Sequence, residues 1–185
     1  MIDERQRTLD GIAAWAAARR AAGEIPEPGV MRPVAEGAVV ELREVGEDNV
    51  RAICLLQVEP EQGQFVAPNA VSLAQGMFSP QAWFRAVYAD GVAVGFVLLS
   101  LDTAKPEYYL WRFMIDGRYQ GFGYGRAAIG LVADHVRTLP GATELLTSWV
   151  PLPGGPEPFY RGLGFEPTGD VDDGEVVGRL RLEKA

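Results

Sequence analysis

The segment Gly121-Phe122-Gly123-Tyr124-Gly125-Arg126 constrains this chain most. It follows closely on an apolar run at 108–115 and leads into 126–137, where Ala128, Ile129, Val132 and Val136 share one helical face. A strand, a glycine loop and a helix in succession leave several backbone N–H groups aimed into one concavity at the positive end of a helix dipole. That concavity suits a pyrophosphate, because glycine lets the main chain approach phosphate oxygens closely. Gln120 and Arg126 add side-chain donors. Two other phosphate motifs fail on spelling: no Lys-Ser or Lys-Thr ends the loop, and Arg126 stands where a dinucleotide-binding fingerprint needs glycine. Taken alone, a G-x-G-x-G is also compatible with a turn that holds no ligand.

The remaining punctuation predicts a strand at 39–43, a helix at 49–58 and a helical turn or two at 69–77. A hairpin follows at 82–88 and 92–100, turning on Ala89-Asp90-Gly91, whose Asp-Gly supplies the positive φ of a tight turn. After the glycine loop and its helix come a strand at 144–150, a Pro/Gly loop, a short helix near 157–163 and a hairpin turning at Asp173-Gly174. Upstream, Leu9, Ile12, Ala13, Trp15 and Ala16 recur at near-helical spacing over 5–22, and Gly23, Pro26 and Pro28 then break the pattern. The expected organisation is an N-terminal helix and linker at 1–36 and one α/β domain at 37–185, a central mixed sheet flanked by helices.

The 185 residues suit one folded domain. A net charge of −8 disfavours a nucleic-acid partner, which would be bound through Lys and Arg, and suits a cationic substrate, although solubility alone would also account for it. Cys54, the single cysteine, excludes an intramolecular disulfide. The first residues lack the pattern of a secretory signal, and the longest apolar stretch, 91–101, is too short to span a bilayer, so the expected setting is the cytoplasm with no membrane partner. His135 is the only histidine and falls in the helix after the glycine loop; with no His/Cys cluster, no metal site is expected.

At Gln120, Gly123 and Gly125 the chain resembles the GNAT N-acetyltransferases, whose coenzyme loop reads Gln/Arg-x-x-Gly-x-Gly/Ala. The strand Tyr109-Leu110-Trp111-Arg112-Phe113-Met114-Ile115-Asp116 and the later Phe159-Tyr160-Arg161-Gly162-Leu163-Gly164-Phe165 resemble two further landmarks in the same order. The likeness runs over about 39–182. Phe65-Val66-Ala67-Pro68-Asn69-Ala70-Val71-Ser72-Leu73-Ala74, with the 110–116 strand, is similar to the diamine or spermine/spermidine branch. Two departures stand out: Pro151-Leu152-Pro153-Gly154-Gly155-Pro156 occupies a loop that often carries a coenzyme-binding Asn, and Phe122 replaces a frequent Lys or Arg.

The resemblance implies a GNAT-like, mostly antiparallel sheet and acetyl-CoA as cosubstrate, held by Phe113, Met114 and Ile115 on the strand and by Gln120, Gly121, Phe122, Gly123, Tyr124, Gly125 and Arg126 in the loop. It implies that Tyr160 is the general acid. Glu59 and Glu61 are the carboxylates expected to take the amine's proton, or to recognise a cation, or simply to be solvated. Asn69, Ser72 and Trp111 are the expected acceptor contacts, with Trp83, Tyr108 and Phe65 as further aromatic candidates. The acceptor is expected to be a small-molecule amine such as a polyamine; an antibiotic or protein amine, or a coenzyme-binding regulatory module without turnover, stay open. An appended helix and exposed sheet edges make a homodimer reasonable.

Overall fold

A computed structural model describes residues 37–183 and, upstream of them, Ala14 alone; the expected N-terminal helix and linker lie outside these residues. Seven strands form one sheet in the order β1-β2-β3-β4-β5-β7-β6. They are β1 (Val40–Arg43), β2 (Ala82–Ala89), β3 (Val92–Asp102), β4 (Glu107–Ile115), β5 (Glu144–Trp149), β6 (Glu166–Asp172) and β7 (Glu175–Arg181). Every neighbouring pair is antiparallel except β4 and β5. The α-helices are α1 (Val50–Cys54), α2 (Asn69–Met77), α3 (Tyr124–Arg137) and α4 (Glu157–Gly162). None of the described helices is long and apolar enough to cross a membrane.

The two faces of the sheet bury separate clusters. On one, α3 lays Ile129, Val132 and Val136 against Val97, Leu99 and Leu110. On the other, α1 and α2 contribute Ile53 and Leu73 against Phe96, Leu98 and Met114. The α3 positions are those singled out by helical spacing, and the β2–β3 hairpin turns where Asp90 and Gly91 adopt positive φ of 45° and 76°.

The expected helix at 49–58 is cut to Val50–Cys54. The following residues are drawn away by tertiary bonds: Gln57 N–H donates to Asp116 at 3.0 Å, and Gly117 N–H donates to the Gln57 carbonyl at 2.8 Å. A one-turn 3-10 helix, Pro60–Gln62, stands where the helix was expected to end. Asp116 itself is buried and held by a two-pronged pair with Arg118, at 2.7 and 2.9 Å.

Candidate active site

Two irregularities in the sheet build the site. Opposite the Leu98–Leu99 step, β4 carries an extra residue: Leu98 faces Arg112 and Leu99 faces Leu110, which leaves Trp111 as the bulge. Immediately beyond it the parallel pairing ends, since β4 and β5 register only at Tyr109–Leu146 and Leu110–Thr147. The strands then part, and a cavity of about 860 Å³ runs between them. Asp116 N–H bonds back to Val94 at 2.8 Å, so strand alternation turns the N–H groups of Phe113 and Ile115 toward the open edge. Phe113, Met114 and Ile115 all line the cavity.

The glycine loop closes one end. Gly121 and Gly123 have φ of +84° and +83°, and a Cβ at either would meet nothing within 4 Å, so glycine is required there by backbone conformation. Gly125 differs: a Cβ would press to 3.1 Å from Phe159, so its smallness lets α4 approach α3. The first turn of α3 has no side-chain cap, and its residues Tyr124, Gly125 and Arg126 line the cavity, an arrangement of the kind that suits an anion. Gln120, Gly121, Gly123, Tyr124, Gly125 and Arg126 line the cavity; Phe122 does not, and stacks outside it on Tyr124 with centroids 5.7 Å apart.

Two of the expected donors prove to be engaged. Gln120 spends its side-chain amide on the Ile115 carbonyl, at 2.9 Å, and on Gln62, at 2.7 Å, which ties the loop to the strand and to the 3-10 turn. Arg126 donates to the Gly162 carbonyl at 2.8 Å and so joins the start of α3 to the end of α4. Gly154 and Gly155, from the Pro/Gly loop that lacks the Asn, also line the cavity.

Tyr160 projects from α4 into the wall of this slot. Only 7% of it is exposed, and its ring packs among Trp149, Phe159 and Phe165 at centroid separations of 5.6, 5.3 and 5.4 Å. Burial pushes its phenol up to about 12; the Thr147 hydroxyl opposes the shift, and Glu175 and Tyr109 add to it. The group is therefore a neutral proton donor throughout the physiological range.

Some expected residues fall elsewhere. Asn69 is buried and donates to the Ile53 carbonyl at 2.8 Å and to Met114 Sδ at 3.6 Å, so it fastens α2 to α1 and β4. Ser72 is fully buried and donates within its own turn to Pro68 at 3.3 Å. Neither lines the cavity, whereas Trp111 and Phe65 do. Glu59 and Glu61 are exposed on the 3-10 turn and lie off the cavity wall. The same turn directs Gln62 inward to its reciprocal amide pair with Gln120, which leaves the two carboxylates outside. Tyr108 is a core residue whose hydroxyl donates to Pro140 at 2.6 Å. Trp83 stacks on His135 with ring centroids 4.4 Å apart; both are half-buried and neither lines the slot.

The sequence reading missed a pair of residues at the site. Ser148 Oγ donates to Glu175 at the start of β7, and both line the cavity. Their signal lies in the pairing of β5 with β7, which no local pattern reveals.

The family model described as Acetyltransferase (GNAT) family matches residues 50–165. The chain belongs to the GNAT family. It is 27% identical over 145 residues to the spermine/spermidine N(1)-acetyltransferase of Bacillus subtilis (strain 168), which spans 75% of this GNAT chain and 95% of the relative. Among solved structures, a domain from Methanocaldococcus jannaschii DSM 2661 superposes with a TM-score of 0.62 at 14% identity, over 78% of this chain and 99% of that one. The GNAT domain of S. lividans PAT gives 0.61 at 18% identity, over 81% and 95%. Both structures share the fold. As a GNAT acetyltransferase the protein is an N-acetyltransferase that uses acetyl-CoA as cosubstrate, and the open strand edge, the positive-φ glycines and the uncapped helix start fit that coenzyme.

Proposed function

We propose that this GNAT acetyltransferase acetylates a primary amine of a small molecule, with a polyamine as the favoured class, by direct transfer while both substrates are bound. The observation that carries the reading is the slot between β4 and β5 with a neutral, buried Tyr160 in its wall. Acetyl-CoA brings the acetyl thioester and a sulfur leaving group.

In this reading the N–H groups of Phe113 and Ile115 hold the coenzyme arm and the acetyl oxygen, and the backbone from Gly121 to Arg126 holds the phosphates. Each fixed donor aimed at charge that develops during reaction contributes about 3 kcal/mol in well-studied sites. Tyr160 keeps a proton ready for the departing sulfur. Trp111 and Phe65 offer apolar and π surface to the acceptor's carbon chain and its cation. The name of the Bacillus subtilis relative and the chain's net charge of −8 both support a cationic acceptor.

The test is release of free CoA from acetyl-CoA with spermidine, spermine, putrescine, an aminoglycoside and a lysine peptide in parallel. Turnover confined to the polyamines is expected. Turnover confined to the aminoglycoside or the peptide moves the acceptor to that class, and coenzyme binding with no turnover on any amine contradicts the proposal.

A further inference from the structure

We propose that Glu175 is the group that receives the acceptor's ammonium and takes its proton, an assignment that rests on the amine-acetylation reading above. Three observations carry it.

The first is placement by register. Successive residues of β5 point to opposite faces of the sheet. Thr147 shares a face with Trp149, and with them lies Tyr160. Ser148 points to the other face, where it meets Glu175. The slot passes between β4 and β5, so Tyr160 flanks it on one face of the sheet and Glu175 on the other. A proton donor for the leaving sulfur and a proton acceptor for the attacking nitrogen serve two different atoms, and these two residues reach the slot from two different faces of the sheet.

The second is uniqueness. Among the described residues, Glu175 is the only carboxylate on the cavity wall. The other two charged residues there are cations already tethered, Arg126 to Gly162 and Arg112 to the Trp111 carbonyl at 2.8 Å. An incoming ammonium therefore meets one negative partner.

The third is orientation. Ser148 donates to Oε2 of Glu175, which fixes the carboxylate and leaves its acceptor capacity for another donor. The titratable and charged groups around it are Tyr109 and Arg112 from β4, Asp172 from the end of β6 and Tyr160 from α4, which sense one another electrostatically across the slot.

The proton balance closes. Glu175 removes one proton from the ammonium; the freed nitrogen forms the N–C bond to the acetyl carbon as the C–S bond breaks. Tyr160 gives its proton to the sulfur; the second proton that the nitrogen loses passes to solvent, from which Tyr160 is reprotonated. Glu175 returns its proton to water, so the net products are the acetamide, free CoA and one proton.

The experiment is steady-state kinetics of wild type, Glu175→Gln and Glu175→Asp on the best amine, with acetyl-CoA affinity measured separately. Glu175→Gln is expected to lower kcat/KM for the amine about 100-fold near neutral pH, with the deficit shrinking as free amine accumulates toward about pH 9, while coenzyme affinity stays unchanged. Glu175→Asp should restore part of the rate and the wild-type shape of the pH profile. An active wild type with Glu175→Gln within about twofold of it across that range overturns the role of Glu175 alone, since a base is worth far more. A wild type that turns over no amine overturns the amine reading and this assignment with it. Should Glu175→Gln lose coenzyme binding as well, Ser148→Ala decides: it keeps the carboxylate but removes its fixed donor, so a displaced pH profile supports the assignment and an unchanged one overturns it.

Discussion

Trp149 stacks on Tyr160 with ring centroids 5.6 Å apart and planes inclined by 21°, while the same indole covers Gly178 on β7 so closely that a Cβ there would collide with it. The position of the expected acid thus depends on a glycine in a strand. Gly178→Ala should push Trp149 against Tyr160, at a cost of about 1–3 kcal/mol for overpacking, and lower kcat more than coenzyme affinity. Urea unfolding and the kinetics of the same preparation check both parts.

Two glycines of the loop and its helix should respond in opposite directions. Gly123 sits at φ +83° with open space around a Cβ, so Gly123→Ala costs about 1–2 kcal/mol from left-handed backbone alone and weakens acetyl-CoA binding by disturbing the start of α3. Gly130 lies exposed inside α3 at ordinary φ, also with nothing near a Cβ. Gly130→Ala should therefore stabilise by about 0.5–1 kcal/mol with coenzyme affinity unchanged. Thermal unfolding and coenzyme titration of the pair separate conformation from space.

Asp116 should make stability depend on acid. Burial pushes its carboxyl up, but the Arg118 side chain and the N–H groups of Gln57 and Arg118 outweigh that and hold it below its ordinary value. A depressed carboxyl contributes stability that is present above its unfolded pKa of about 3.9 and is lost as pH falls through the folded value. Asp116→Asn should cost about 2 kcal/mol at neutral pH, and the gap to wild type should narrow as pH falls below the ordinary carboxylate value of about 3.9. Urea midpoints at neutral and acid pH test this.

Much of the fold was readable because its cues are local. Asp90-Gly91 and Asp173-Gly174 each sit in a hairpin turn at positive φ, and the α3 face reads directly from Ala128 to Val136. The glycine-loop end of the cavity was readable for the same reason, since its lining is a contiguous loop. The opposite end was not. Asn69 and Ser72 are polar residues in a helix, and only the packing of α2 on Ile53 and Met114 turns them into core fasteners. The helix at 49–58 was overextended because the bonds that end it come from Asp116 and Gly117, about 60 residues away along the chain. Glu175 was invisible because it reaches the site only through the pairing of β5 with β7.

A phenol pushed up to about 12 also fixes the alkaline behaviour. Tyr160 stays protonated as pH rises, so kcat should show no descending limb from loss of this acid below about pH 10. A fall with a midpoint near 8 or 9 in the pH dependence of kcat, abolished in Tyr160→Phe, would assign Tyr160 a much lower value, about that of a perturbed acid.

The proposed acetyl transfer in the slot between β4 and β5 makes Tyr160 its proton donor. The most direct measurement is single-turnover release of CoA by wild type and Tyr160→Phe on the best amine, beside acetyl-CoA affinity for each. A loss of about 100-fold or more in the rate with affinity unchanged is expected. A Tyr160→Phe protein that releases CoA at the wild-type rate would contradict that role.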